Sequence, residues 1–175
     1  MPCGTAANDD DSFFSMRTEI ASRQPPYSAL MRDAESNILP FCEQTGTGVI
    51  AYSTLQSGLL TGAMTRERIA TLPDDDWRKT RSSDFKEPRL TRNLDLVESF
   101  RRIGQRHGLT PAAVAIAWVL RHPAVSGAIV GVRQPAQVDG LLGAANLSLS
   151  AAELAEIAMS LPEGSGTNVP EAAAS

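Results

Sequence analysis

The sequence has too few cysteines for a disulfide scaffold or a thiolate zinc cluster, since Cys3 and Cys42 are its only two. That scarcity fits a reducing compartment. No apolar run approaches the roughly 20 residues that a membrane-spanning helix needs. Asp9, Asp10 and Asp11 stand where a signal peptide would have its apolar core. The sequence therefore predicts a cytoplasmic protein with no membrane partner.

Histidine and lysine are also scarce, with two residues of each, and the 20 acidic residues outnumber the 16 basic ones. The net charge of −4 argues against a nucleic-acid partner, because binding phosphates needs a basic face. The two histidines, His107 and His122, each follow an arginine at the end of a predicted helix, where a cation favours the helix dipole. The two lysines, Lys79 and Lys86, lie in a polar stretch. We expect structural roles for the histidines and a surface position for the lysines, and no metal-ligand spacing occurs.

Short apolar or β-branched runs alternate with helical patterns along the rest of the chain. Candidate strands lie at 19–24, 48–52 and 128–131. Strands that alternate with helices indicate right-handed βαβ units and a parallel sheet. A closed eight-stranded barrel needs about 250 residues, so a chain of 175 residues with three strands falls well short of one.

Capping residues and apolar periodicity mark the helices. Thr110 with Pro111, and Ser150 with Glu153, have the spacing of helix starts. The predicted helices are 29–44, 94–107, 111–120, one from 135 and one from 150.

Three stretches lack a clear period. Residues 1–18 are unassigned and expected to be disordered, and the Gly, Ser and Ala-rich tail at 163–175 is expected to be disordered too. Residues 63–93 form a polar stretch that is long for a connection within a domain, which favours either a lid or a disordered insertion. Trp77 and Phe85 would give such a lid its apolar contacts.

Two segments follow predicted strands and have the composition of phosphate-binding loops. The run STLQSGLLTG follows the second strand and supplies hydroxyl groups and glycines that can surround a pyrophosphate. Arg133 follows the third strand beside a helix N-terminus, which suits a monophosphate. Taken singly, each also fits an ordinary loop or a solvated surface charge.

The amino-acid sequences of these segments and their order along the chain are more specific than either loop alone. The runs QPPYSAL, ILPFCEQTGTGVIAYSTLQSGLLTG and LTPAAVAIAWVLRHPAVSGAIVGVRQPAQVDGLLGA resemble the C-terminal half of the aldo-keto reductases. The resemblance extends from about Ile20 to Leu161. The family is a (β/α)8 barrel of the TIM type that reduces aldehydes and ketones by hydride transfer from a nicotinamide cofactor, usually NADPH. The resemblance implies an α/β fold in which 19–162 is a half-barrel with the last three strands and their helices.

The resemblance also assigns positions along the cofactor. At the nicotinamide end, Gln24 matches a glutamine that hydrogen-bonds the carboxamide, and Tyr52 matches the aromatic residue on which the ring stacks. On its own, a tyrosine such as Tyr52 at a strand end would more often be a core residue. At the other end, the matching positions are Ser53, Leu55, Ser57 and Gly58 along the pyrophosphate, Gly131 and Arg133 at the 2′-phosphate, and Gln137 towards the adenine ribose.

The chain departs from the family at three cofactor-side positions. Thr54 stands where the family commonly has proline, which should loosen the turn after Tyr52. Gly140 and Leu141 replace the Asn and Glu of many members, which should weaken the grip on adenine.

The largest departure concerns the chemistry. The family's catalytic Asp, Tyr, Lys and His all come from the N-terminal half of the barrel, and residues 1–23 contain no GxxxxDTAxxYG-like string. We therefore assign no catalytic residue and expect the isolated chain to be inactive. The alternative is a non-catalytic nucleotide-binding or interaction module, or an inert remnant of a truncated gene. Open strand edges would favour self-association.

Overall fold

Three parallel strands organise the chain. A computed structural model describes residues 21–161, so the expectations for 1–18 and 163–175 lie outside the described residues. The strands are β1 (Ser22–Arg23), β2 (Gly48–Ala51) and β3 (Val125–Ala128), and their spatial order β1-β2-β3 is their order in the sequence. Helical segments lie between successive strands, as a β/α barrel requires.

Seven α-helices and four short 3-10 helices accompany the sheet in the described part of the chain. The α-helices are α1 (Ile38–Thr45), α2 (Arg66–Ala70), α3 (Trp77–Thr80), α4 (Arg89–His107), α5 (Pro111–Leu120), α6 (Pro135–Leu142) and α7 (Ala151–Ser160). The 3-10 helices are Asp33–Ser36, Gln56–Thr61, Ser83–Phe85 and Gly143–Asn146.

Several boundaries differ from the predicted ones. The helix expected at 29–44 is a 3-10 turn followed by α1, because Pro40 lacks an N–H and therefore belongs in the first turn of a helix. The strand expected at 128–131 begins three residues earlier, since Val125 and Ala128 pair with β2. The helix expected from residue 94 begins at Arg89.

The stretch 63–93 is folded into α2, α3, the 3-10 helix Ser83–Phe85 and the first turn of α4. Thr65 and Asp76 cap the two short helices by accepting hydrogen bonds from backbone N–H groups. Phe85 is buried, whereas the side chain of Trp77 is 48% exposed. The segment thus packs on the domain and presents one large aromatic side chain to solvent.

The core lies between one face of the sheet and helices α4, α5 and α7. Val49 and Ala51 of β2 are fully buried against it, with Phe100 of α4 and Ile157 of α7. Helix α5 is buried all round over residues 112–119. The predicted caps hold: Thr110 caps α5, and Ser150 with Glu153 forms the capping box of α7.

The opposite face of the sheet is less covered. Tyr52 and Ile129, which follow β2 and β3, are 39% and 47% exposed. Among the helices of residues 21–161, none has the length and apolar content needed to cross a membrane.

Candidate functional site

The carboxyl ends of the three strands bring the predicted site residues to one edge. Gln24 follows β1 and Tyr52 follows β2. The Tyr52 N–H donates to the Pro25 carbonyl at 3.1 Å, and the Ile129 N–H donates to the Ala51 carbonyl at 2.7 Å. These bonds continue the sheet beyond the strands. In parallel α/β folds ligands bind at this edge, where loops are free to meet them.

Tyr52 offers a flat ring at the middle of this edge. Its side chain is 39% exposed, so it is not a core residue. Gln24, one strand away, is exposed as well. An exposed aromatic face beside an exposed amide suits a planar ring that carries a carboxamide.

The loop after Tyr52 has an unusual backbone. Ser53, Gln56 and Ser57 have φ values of 57°, 45° and 55°, and Gly58 has φ of 90°. Left-handed conformations cost free energy in residues with a Cβ, and such strain clusters at ligand-binding sites. Ser53 and Ser57 are exposed, whereas Leu55 is half-buried against the core and anchors the loop. The predicted pyrophosphate positions therefore form one compact turn.

Thr54 ties this loop to the loop after β3. Its side chain is only 1% exposed, and its hydroxyl donates to the Ile129 carbonyl at 3.3 Å. The hydroxyl thus gives the buried side chain a partner that a proline would not have, and this bond joins the two loops.

Gln56 is a site residue that sequence reasoning missed. Its Oε1 accepts from the Ser28 hydroxyl at 3.4 Å, and its Nε2 donates to Asp84 Oδ2 at 2.9 Å. Both partners lie 28 residues away in the sequence. A single polar residue in a loop gives no signal of contacts at that separation.

The predicted phosphate end lies between β3 and α6. Gly131 and Arg133 are exposed there. Gln137 is also exposed, and its Oε1 accepts from the Arg133 N–H at 2.7 Å and from the Gln134 N–H at 3.2 Å. This is a capping box at the start of α6. Gln137 thus fixes the backbone that carries Arg133.

Asp76, the N-cap of α3, lies close enough to this end to feel the charge of Arg133. Bonds from Arg78, at 2.9 and 2.6 Å, lower the pKa of Asp76 to about 2, and the charge of Arg133 adds to that effect. Asp74 pairs with Lys79 at 2.6 Å. These acidic residues therefore have local partners, and within the described residues no group of His, Cys, Asp and Glu side chains could hold a metal ion.

The second tyrosine, Tyr27, is unsuited to proton transfer at the edge. It is fully buried, its hydroxyl donates to Glu35 at 2.7 Å, and it accepts from Arg121 at 3.0 Å. Burial, reinforced by the Glu35 carboxylate, raises the pKa of Tyr27 well above its usual value in spite of the Arg121 charge.

The histidines and lysines have local contacts. His107 Nε2 lies 2.7 Å from a Glu153 carboxylate oxygen, and His122 Nδ1 accepts from the Ala124 N–H at 3.2 Å. Lys86 donates to a backbone carbonyl at 2.6 Å. These contacts agree with the expected structural and surface roles.

Comparison with known proteins places the chain among the aldo/keto reductases. The sequence profile of the Aldo/keto reductase family matches residues 15–161. Aldo-keto reductase YhdN of Bacillus subtilis is 33% identical over 67% of this chain and 35% of its own length. The NADH-specific methylglyoxal reductase of Escherichia coli is 30% identical over 77% of this chain and 40% of its own.

A solved structure gives the same result for the fold. The glycerol dehydrogenase AKR11B4 from Gluconobacter oxydans is 33% identical and superposes with a TM-score of 0.70 over 81% of this chain and 42% of that chain. The prediction of a partial (β/α)8 barrel is thus confirmed. The chain spans about two fifths of the length of the proteins it matches.

Proposed function

Because the chain belongs to the aldo-keto reductase family, we propose that the carboxyl ends of its strands hold NADP(H) for hydride transfer to an aldehyde or ketone. One observation carries the proposal. An exposed aromatic ring and a loop with left-handed serines follow β2, and an exposed arginine follows the neighbouring parallel strand β3. That series matches the flat ring, the phosphate bridge and the extra phosphate of NADP(H). A relative is NADH-specific by name, so the choice of NADP(H) rests on Arg133.

Each end of the cofactor has its own residues in this proposal. Tyr52 stacks on the nicotinamide ring and Gln24 bonds its carboxamide. The exposed hydroxyls of Ser53 and Ser57 bind the pyrophosphate. Leu55 and Gly58 shape that turn, Gly131 and Arg133 meet the 2′-phosphate, and Gln137 reaches the ribose through its amide nitrogen while its oxygen caps α6.

The protein's contribution to the reaction is binding and orientation. The bound cofactor supplies the hydride, and the reduced carbonyl oxygen must then receive a proton. General acid help is typically worth about 10²–10⁴-fold, and loss of substrate orientation costs more. Tyr27, His107 and His122 are held in structural contacts. We therefore propose that the 175-residue chain by itself gives no measurable turnover, although it keeps the residues that would bind the cofactor.

Fluorescence titration of the full chain with NADPH and NADH tests the proposal. Arg133→Ala should weaken NADPH binding by about tenfold to a hundredfold, because charge-assisted bonds to phosphate are lost, and should leave NADH binding unchanged. Tyr52→Ala should weaken both. Arg92→Ala, which removes an exposed arginine on α4, is the matched control. A wild-type chain that binds neither dinucleotide would contradict the proposal and leave the interaction module or the inert remnant.

A further inference from the structure

We propose that Gln56 is a positioning residue that fixes the loop 53–58, here called the serine loop, in its left-handed conformation. Its side chain joins that loop to Ser28 after β1 and to Asp84 in the 3-10 helix Ser83–Phe85. The expected effect of Gln56 on dinucleotide binding rests on the proposed function. Its expected effect on the conformation of the loop does not.

The hydrogen bonds of Ser28 determine which way the Gln56 amide faces. Ser28 is fully buried, and its hydroxyl oxygen accepts from the N–H groups of Leu30 at 3.2 Å and Met31 at 3.1 Å. A hydroxyl has one proton and two lone pairs, so the proton remains for Gln56 Oε1. The amide oxygen of Gln56 must therefore face Ser28, and its NH₂ group faces the Asp84 carboxylate.

Asp84 is a rigid attachment point. Its carbonyl accepts from the buried side chain of Asn93 at 3.0 Å, and its carboxylate lies 3.6 Å from Arg89 of α4. The adjacent Phe85 is buried in the core. Because α4 holds this segment in place, the bond from Gln56 Nε2 constrains the serine loop.

The loop needs such a constraint. Gln56 and Ser57 have consecutive left-handed φ values of 45° and 55°, which residues with a Cβ adopt only when their surroundings impose it. Two side-chain bonds to fixed partners impose it at Gln56. Ser57 and Gly58 follow directly, so their positions depend on the same two bonds.

Two substitutions separate the side-chain bonds from the backbone strain. Gln56→Ala removes the bonds and keeps the strain, whereas Gln56→Gly removes both. Hydrogen exchange in the cofactor-free chain then reports on the Gly58 and Leu60 amides, which donate to the Leu55 carbonyl. Protection of both amides should fall about threefold to tenfold in Gln56→Ala. It should fall less in Gln56→Gly, because glycine adopts a left-handed φ without strain. Gln105→Ala, an exposed glutamine on α4, is the matched control. Wild-type protection in Gln56→Ala would overturn the proposal.

A double-mutant cycle tests the partner. Asp84→Ala should lower the same protection, and the Gln56→Ala/Asp84→Ala pair should lose no more than Gln56→Ala alone. Asp84→Asn, which keeps an acceptor oxygen, should restore most of it. Additive losses would show that Gln56 and Asp84 act separately and would overturn the proposal.

Binding gives an independent readout. Gln56→Ala should raise the Kd for NADPH and NADH equally, by about threefold to tenfold, because the pyrophosphate is common to the two. If the wild-type chain binds neither dinucleotide, the proposed function is contradicted, but hydrogen exchange of the Gly58 and Leu60 amides still tests the role of Gln56. If the chain binds NADPH and Gln56→Ala leaves that exchange unchanged, only the positioning role is contradicted.

Discussion

Thr54 and Gln56 attach the serine loop to different neighbouring segments. Thr54 is buried and bonds the Ile129 carbonyl on one side, and Gln56 bonds Ser28 and Asp84 on the other. Between them, Leu55 packs on the core. The exposed serines therefore lie on a backbone that is held on both sides. A loop held in this way can orient a bound ligand.

Thr54→Val should lower the free energy of unfolding by about 1 kcal/mol, the typical net worth of a buried hydrogen bond. The shapes of the two side chains are nearly the same, so the loss is that of the bond to the Ile129 carbonyl. Urea denaturation measures the difference. Thr71→Val, at an exposed position after α2 where the hydroxyl bonds the Arg68 carbonyl one turn back, should change stability by less than about 0.5 kcal/mol. Equal losses in the two variants would assign the effect to the threonine-to-valine change itself.

At the residue scale the sequence predicts exposure better than contact. A tyrosine that ends a buried strand, followed by serines and glycines, indicates a loop at the ligand edge, and Tyr52, Ser53 and Ser57 lie there. The partners of Thr54 and Gln56 depend on how three loops meet in space. No local pattern contains that information.

At the scale of elements, helices α4 and α7 are joined by polar contacts at their surface. His107 and Arg106 face Glu153 and Glu156, with the shortest contacts at 2.7 and 2.8 Å. Glu153 also accepts from the Ser150 N–H at 2.9 Å. That backbone bond, together with His107, lowers the pKa of the Glu153 carboxyl to about 2.

The lowered pKa of Glu153 predicts how the stability of Glu153→Gln, relative to wild type, changes with pH. The unfolded chain takes up the proton near the ordinary value of 4.5 and the folded chain only near 2. The stabilisation by Glu153 is therefore complete above about pH 4.5 and is lost as the pH falls towards 2. At pH 7 the variant should be less stable by about 1–2 kcal/mol, and the difference from wild type should shrink by pH 3. Urea denaturation across this range measures it, with Glu43→Gln on α1 as the control. A difference that does not vary with pH would contradict the assignment.

Element boundaries show what local patterns miss. The caps at Thr110 and Ser150 are local chemistry, and both were predicted. The start of β3 is set by pairing with β2 across the sheet, which the run AIVG does not contain. Pro40 was a usable local signal for the start of α1, because its ring excludes a helix that continues through it.

At the scale of the whole molecule, the sheet ends at β1 on one side and β3 on the other within the described residues. The face that carries Tyr52 and Ile129 is partly uncovered. In a complete (β/α)8 barrel, neighbouring strands would pair with both edges and the interior would be filled. The described residues therefore leave hydrogen-bonding groups and apolar surface available to another strand.

We accordingly predict that the 175-residue chain self-associates at micromolar concentration, as measured by sedimentation velocity. Ile129→Lys places a charge on an exposed apolar side chain just after β3, and charged residues at edges oppose pairing. This variant should shift the population towards monomer. Met159→Lys adds the same charge on α7, where the side chain is 83% exposed, and should leave the distribution unchanged. A monomeric wild type would contradict the prediction, and equal shifts in both variants would show that net charge, not the strand edge, controls association.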